Sequence, residues 1–263
     1  MKEKTILINK LEVNYKIAGK GPAILVLHGW GGSSDSWIEV KKGLTRKGYL
    51  VLIPDFPGFG KSQPPQTPWS VSDYMRFLSS FLEKIEKTEE EFRKPFFLLG
   101  HSFGGRIAIK FCLSYPKEIK KLILCDSAGI KEKYGIKNFT IFWLAKIGNA
   151  ILAPRIFNKL KDIIRSCFYI FIRNKDYARA VGVMKETIKK VLEEDLLPEL
   201  PKIQKETLLI WGEKDRLVPL RYACVFREKI RNSSLKVLPG IGHSPHLESP
   251  RELSGIIADF FAK

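Results

Sequence analysis

The stretch that decides the fold is FFLLGHSFGGRIAIKFCLS, residues 96–114. Its start, Phe96–Leu99, has the length of a buried strand, and its end, Gly105–Ser114, has the three- and four-residue apolar spacing of a helix. Between them Gly-His-Ser-Phe-Gly matches the G-x-S-x-G pattern, which places a serine on a strained turn between a strand and a helix. The sequence therefore predicts Ser102 as an exposed nucleophile. A glycine-rich turn whose serine merely caps the helix is the alternative.

Apolar runs of strand length recur along the rest of the chain and lack the polar alternation of a half-exposed sheet. These runs are Ala23–Leu27, Leu50–Ile53, Leu122–Cys125, Leu208–Trp211 and Leu235–Leu238. Helix-length segments such as residues 71–91 separate them, so the sequence predicts an α/β fold with a parallel sheet covered by helices on both faces. Residues 5–8 and 13–17 alternate between polar and apolar and predict an antiparallel hairpin at one edge.

The alternation of strands and helices stops at residues 129–201, where helical patterns occur without a convincing strand. We therefore predict a core domain formed by residues 1–128 and 202–263. Residues 129–201 are predicted to form a helical cap, or lid, inserted over the end of the sheet.

A serine nucleophile needs an adjacent base, usually a histidine that a carboxylate orients. In the order typical of this turn the base follows the nucleophile, which leaves His243 and His246 of the four histidines. His243 lies in the loop after the strand Leu235–Leu238 and is the predicted base. His246 follows Pro245 and remains the alternative, since it can also simply lead into the last helix.

Two aspartates compete for the role of the acid that orients this histidine. Asp215 comes a few residues after the strand Leu208–Trp211, where a loop can carry its carboxylate to the imidazole. Asp126 follows the strand Leu122–Cys125, and that strand also ends at the active edge of the sheet. We predict Asp215 as the acid and keep Asp126 as the competing candidate.

Acyl transfer also needs hydrogen-bond donors aimed at the oxyanion that develops during the reaction. One predicted donor is the backbone N–H of Phe103, directly after the serine. The second is the backbone N–H of Trp30 in the loop HGWGG, residues 28–32, which follows the strand Ala23–Leu27. The alternative is that these glycines only allow a sharp exit from the strand.

A second loop, DFPGFGKS at residues 55–62, is predicted to border the pocket. Its two phenylalanines are candidates to line an acyl site, although a packing role is equally compatible with the sequence. The predicted substrate contacts are His28, Phe56, Phe59, Phe142 and Trp143.

Composition argues against several other classes of protein. The four cysteines lie far apart without a C-x-x-C pair, so we predict neither a zinc site nor a disulfide framework. We expect no metal and no cofactor, because the predicted triad and backbone donors supply the whole mechanism. No stretch reaches the roughly 18 uncharged residues of a membrane span, and the N-terminus lacks the apolar core of a signal peptide. A cytoplasmic protein without an integral membrane span is expected, as a monomer or a homodimer.

The net charge of +17 raises the question of an acidic partner. Nucleic-acid binding is not predicted, because no recognised binding motif is present. Much of the excess lies in the predicted cap, where ordinary solvated helix faces are the preferred explanation. Attraction of anionic substrates and peripheral contact with an anionic surface remain open.

Five motifs in order, HGWGG, DFPGFGKS, GHSFGG, WGEKDRLVP and GIGHSPHLESP, resemble the capped serine-hydrolase branch of the α/β-hydrolase fold superfamily. This branch is typified by carboxylesterases and meta-cleavage C–C hydrolases. The resemblance implies a mostly parallel eight-stranded sheet with a lid inserted after the sixth strand. It carries over Ser102, Asp215 and His243 as a catalytic triad, with Trp30 and Phe103 as oxyanion donors.

The resemblance implies a serine hydrolase that cleaves a small or amphipathic ester, or another acyl substrate, through an acyl-enzyme. Haloalkane dehalogenases and epoxide hydrolases look similar but have aspartate at the nucleophile position, and Ser102 excludes both. A C–C hydrolase remains an alternative, although its usual Gly-Pro-Gly oxyanion loop is replaced here by residues 31–34, GGSS. A catalytically idle binding protein of the same fold is the other alternative.

Overall fold

The computed structural model describes residues 2–131 and 182–262. The chain divides into two compact units, one formed by Met1–Ile130 with Val181–Lys263 and the other by Lys131–Ala180. The first unit contains all the elements described below. Most of the predicted cap, including Phe142 and Trp143, lies outside the described residues.

An eight-stranded sheet forms the centre of the larger unit, in the order β1-β2-β4-β3-β5-β6-β7-β8. Strand β2 runs antiparallel to both its neighbours, whereas β4, β3 and β5 to β8 are parallel to one another. The predicted, mostly parallel sheet with an edge hairpin is therefore confirmed. The strands are β1 (Lys2–Ile8), β2 (Leu11–Ala18), β3 (Ala23–Leu27), β4 (Leu50–Pro54), β5 (Phe96–His101), β6 (Ile119–Cys125), β7 (Thr207–Gly212) and β8 (Ser233–Leu238).

Helices cover both faces of this sheet, which explains why its central strands are apolar throughout. Alternate strand residues, such as Val26 and Ile123, pack with the first and last helices in one core. The other face meets the helices in between, for example where Trp211 packs against Phe226 at a ring-centroid distance of 5.7 Å. The helices of the larger unit are α1 (Ile38–Arg46), α2 (Val71–Thr88), α3 (Phe103–Ser114), α4 (Val183–Glu193), α5 (Leu220–Lys229), α6 (Pro245–Glu248) and α7 (Pro250–Ala262).

Strand β8 departs from the prediction that its apolar run is buried on both faces. Ser234 and Lys236 are exposed, while the residues that alternate with them are partly covered. The reason is position: β8 lies at the edge of the sheet and pairs only with β7.

The predicted boundary of the cap at residue 201 also needs correction, because α4 belongs to the larger unit. Its Thr187 Oγ1 accepts the backbone N–H of Trp69 at 3.1 Å, and Ile188 is buried. Farther along, the backbone N–H of Leu196 bonds to the carbonyl of Gly129 at 2.8 Å. A helical pattern alone does not distinguish a cap helix from one that returns to the core, so the sequence placed the boundary too late.

We expect Gly104→Ala to destabilise the protein by about 2 kcal/mol or more, because overpacking against a backbone cannot be relieved by side-chain motion. A Cβ at this position would lie 2.7 Å from the carbonyl oxygen of His28 and still closer to that of Leu27. Urea denaturation of the wild type, Gly104→Ala and Gly255→Ala measures the effect. Gly255→Ala is the control, because a Cβ added to this helical glycine meets nothing within 4 Å. The control is expected to gain about 0.5–1 kcal/mol, and equal effects would contradict the packing argument.

Candidate active site

The turn between β5 and α3 holds Ser102 in a strained conformation, with φ 52° and ψ −114°. A non-glycine residue in this region persists only where its surroundings fix it. Here the backbone N–H of Ser102 bonds to the carbonyl of Cys125 at 3.1 Å, on the neighbouring strand. A Cβ on Gly100 would lie 2.6 Å from the carbonyl oxygen of Gly104, so the tight turn needs glycine.

The structure brings His243 to this serine. Its Nε2 lies 3.0 Å from Ser102 Oγ, and its Nδ1 lies 2.8 Å from Asp215 Oδ2. With Nδ1 protonated toward the carboxylate, Nε2 is free to accept the serine proton. The loop that carries His243 is fixed in turn, since Glu248 accepts the backbone N–H groups of Gly242 and Ser244 at 2.8 and 3.1 Å.

Asp215 is built into the tip of the loop after β7, and its side chain is fully shielded from solvent. Its Oδ1 accepts the backbone N–H groups of Leu217 and Val218 at 2.8 and 2.9 Å, which leaves Oδ2 for His243. Hydrogen bonds from backbone N–H groups favour the ionised form of a carboxyl group. The arrangement therefore presents an oriented acceptor to the imidazole.

The two competing candidates have other hydrogen-bond and packing partners. His246 is buried and stacks on Trp37, with ring centroids 4.5 Å apart and planes 5° apart. Asp126 lies close to Asp215, and its Oδ1 accepts the backbone N–H of Gly212 at 2.9 Å. Burial, and to a smaller extent the nearby Asp215, raise the pKa of Asp126 to about 9.

Ligand atoms of Asp126, Asp215 and His243 lie within 4.8 Å of one another, as in a site that could hold a metal ion. Both carboxyl groups are buried, however, and the atoms of His243 and Asp215 nearest each other share a hydrogen bond. These groups are therefore better explained as partners of the serine than as a metal site.

The predicted oxyanion loop lies against the nucleophile. A Cβ on Gly29 would lie 3.2 Å from the Cβ of Ser102, so the loop approaches the serine as closely as a glycine allows. A turn closed by the Gly32 N–H and the Gly29 carbonyl at 3.1 Å leaves Trp30 at its tip. Phe103 is the first residue of α3, where a backbone N–H has no acceptor within its own helix.

His28 and Phe56, two of the predicted substrate contacts, have structural partners. Both are completely buried. His28 Nδ1 lies 2.8 Å from the Gly29 carbonyl, and its Nε2 accepts the backbone N–H of Phe56 at 3.0 Å. Burial lowers the pKa of His28, so a neutral ring joins the two loops. Phe59 is 8% exposed and packs edge-on against Trp30, with ring centroids 4.8 Å apart.

The sequence analysis missed His101, the residue before the serine. Its Nε2 lies 2.8 Å from the backbone carbonyl of His243, so it must donate there and supports the loop of the base. Burial lowers the pKa of His101 well below its usual value, and among the described residues its Nδ1 has no hydrogen-bond partner. Its place inside the G-x-S-x-G motif was the available signal.

Burial of neutral histidines predicts that acid destabilises the fold. Burial lowers the pKa of His246 to about 3, so the unfolded chain binds the proton first. The contribution of neutral His246 to the free energy of unfolding is fully present above the pKa of the unfolded chain, about 6.5. As the pH falls from there toward 3, this contribution decreases by about 1.4 kcal/mol per pH unit.

We expect His246→Phe, which keeps a flat ring beside Trp37 but cannot titrate, to flatten the pH dependence of the free energy of unfolding between about pH 6 and 4. Urea denaturation of both proteins across this range measures it. Parallel curves for the variant and the wild type would contradict the argument.

A parallel sheet of this strand order, with a serine, a histidine and an aspartate hydrogen-bonded in series at its carboxyl edge, defines the α/β-hydrolase superfamily. The chain belongs to its serine aminopeptidase S33 family, whose sequence model matches residues 20–250.

Monoacylglycerol lipase ABHD6 of Mus musculus is 27% identical over 93% of this chain and 76% of its own length. Two solved structures share the fold. The esterase of Exiguobacterium antarcticum has a TM-score of 0.76 and 22% identity, with full coverage of both chains. A meta-cleavage product hydrolase of Pseudomonas fluorescens has a TM-score of 0.72 and 23% identity over 98% of this chain and 97% of its own.

Among the described residues, no helix combines the length and apolar character that crossing a membrane requires.

Proposed function

We propose that the protein is a carboxylic-ester hydrolase that works through an acyl-enzyme on Ser102. The observation that carries the proposal is the continuous chain of hydrogen bonds from Ser102 Oγ through His243 to Asp215. A serine hydroxyl becomes a useful nucleophile only with such a base beside it, and a carboxylate behind the base fixes its tautomer and stabilises the imidazolium.

The proposed reaction proceeds in two halves. Ser102 Oγ attacks the ester carbonyl while its proton passes to His243 Nε2, and the imidazolium then protonates the departing alcohol. In the second half His243 takes a proton from water, the hydroxide attacks the acyl carbonyl, and the serine leaves with the returned proton. Backbone N–H groups of Trp30 and Phe103 are the proposed donors to the oxyanion in both halves.

Small or amphipathic esters are the proposed substrates. The likeness to a protein named monoacylglycerol lipase supports this choice and makes glycerol monoesters the first natural esters to try. A packed aromatic cluster adjoins the oxyanion loop: Trp30 and Phe59 both pack on Phe103, with ring centroids 5.2 and 6.0 Å apart. An apolar wall at this position suits an acyl chain better than a charged group.

Replacing the nucleophile is the direct test. We expect Ser102→Ala to lower kcat/KM for short p-nitrophenyl esters by at least about 10⁴-fold, because triad residues act as a unit. Ser114→Ala, at the exposed end of α3, is the matched control and should keep full activity. Undiminished turnover by Ser102→Ala would refute the proposal.

A substrate panel separates the proposed activity from the alternatives. We expect the enzyme to hydrolyse p-nitrophenyl and glycerol esters from a panel graded by acyl length. We expect little hydrolysis of a dienoate acid of the kind that meta-cleavage C–C hydrolases cleave. Preference for the dienoate acid would instead indicate a C–C hydrolase. A fluorophosphonate probe should label the wild type and not Ser102→Ala; an unlabelled wild type would indicate an idle binding protein.

A further inference from the structure

Asp126 is a buried carboxyl group that the proposed mechanism does not use. It follows β6, it is completely shielded from solvent, and its backbone adopts φ 43°, in the left-handed region. Aspartate and asparagine tolerate this conformation better than other non-glycine residues. One of its carboxyl oxygens lies within 4.8 Å of a ligand atom of Asp215 and of His243.

Two carboxyl groups this close, both buried, cannot both carry a negative charge at neutral pH. Of the two groups, Asp215 is the one that carries the negative charge, because it faces His243 and accepts hydrogen bonds from two backbone N–H groups. Asp126 accepts one backbone N–H, from Gly212 on Oδ1. Among the residues that the structure describes, His243 and Cys125 also face Asp126, and the Cys125 Sγ lies 3.5 Å from its Oδ2.

Oδ1 accepts the backbone N–H of Gly212, whereas Oδ2 accepts only from the Cys125 thiol at 3.5 Å, which is a weak donor. We therefore place the proton of Asp126 on Oδ2. A protonated carboxyl group can donate, whereas an ionised one can only accept. One carboxyl oxygen of Asp126 and one of Asp215 lie within 4.8 Å of each other, and a proton on either group relieves the repulsion between two buried charges. An ionised Asp215 can only accept, so in a hydrogen bond between the two carboxyl groups Asp126 is the donor.

We propose that Asp126 is a positioning residue that, as a neutral carboxylic acid, donates a hydrogen bond to the Asp215 carboxylate and holds it against His243. The role in catalysis rests on the proposed function, whereas the protonation state of Asp126 does not. The raised pKa of Asp126, about 9, agrees with a neutral group at physiological pH.

Asp126→Asn is the decisive variant, because an amide reproduces both contacts: its oxygen accepts from Gly212 and its NH₂ donates to Asp215. Asn also suits the left-handed backbone. Asp126→Gly suits the same backbone but removes both contacts. Asp259→Asn, at an exposed position of α7, is the control for loss of a surface aspartate.

Equilibrium unfolding tests the protonation state without any assay of activity. A group whose pKa is raised on folding contributes stability that is present below its unfolded pKa, about 4, and lost as the pH rises toward the folded value. The unfolding equilibrium constant of the wild type, divided by that of Asp126→Asn, should therefore rise about tenfold per pH unit between pH 5 and 8. The rise comes from the wild type, because the amide of the variant does not titrate. A ratio independent of pH would overturn the proposal.

Kinetics test the positioning role. At pH 7 Asp126→Asn should keep kcat within about twofold of wild type, while Asp126→Gly should lose about 10- to 100-fold in kcat with little change in KM. In a pH profile of kcat, the activity of the wild type should also fall near pH 9, and Asp126→Asn should lack this alkaline decrease. A loss in Asp126→Asn as large as that in Asp126→Gly, or an unchanged alkaline limb, would overturn the positioning role.

A direct measurement covers the case in which a variant does not fold. In wild-type protein labelled with ¹³C at the aspartate carboxyl groups, one resonance should report a protonated carboxyl at pH 7 and titrate near pH 9. Finding every aspartate ionised at pH 7 would overturn the proposal.

Discussion

The hydrogen bond between His243 and Asp215 is the interaction on which the proposed chemistry depends, because it sets the imidazole tautomer that faces Ser102. Ser102 and His243 are 141 positions apart in the chain. They meet because the parallel strands β5, β7 and β8 all end at one edge of the sheet. The sheet thus converts distant chain positions into a local arrangement.

Buried hydrogen bonds make this arrangement rigid. His28 joins the oxyanion loop to the loop after β4, and His101 supports the backbone of His243. Both histidines are shielded from water, so burial lowers the pKa of each and keeps the rings neutral. Neutral rings with fixed tautomers hold the neighbouring backbone without adding charge beside the base, which is the preorganisation that transition-state stabilisation requires.

The aspartate pair illustrates how the surroundings of two identical side chains suit them to different roles. Asp126 and Asp215 have the same side chain and follow neighbouring strands. The loop of Asp215 supplies two backbone N–H groups to its carboxylate, whereas Asp126 receives one. Burial, and to a smaller extent the nearby Asp215, raise the pKa of Asp126, which suits this group to carry a proton beside the carboxyl group that faces His243.

Sequence by itself determined the core strands, the helices around them and the serine turn, because these leave local patterns in apolar spacing and in the glycines that a tight turn demands. Only the tertiary structure decided which aspartate contacts His243, that His28 is a buried bridge and that β8 is a half-exposed edge. Those outcomes depend on distances between separate loops and on strand order in the sheet. The periodicity of a single segment contains no information on the distances between loops or on the order of strands.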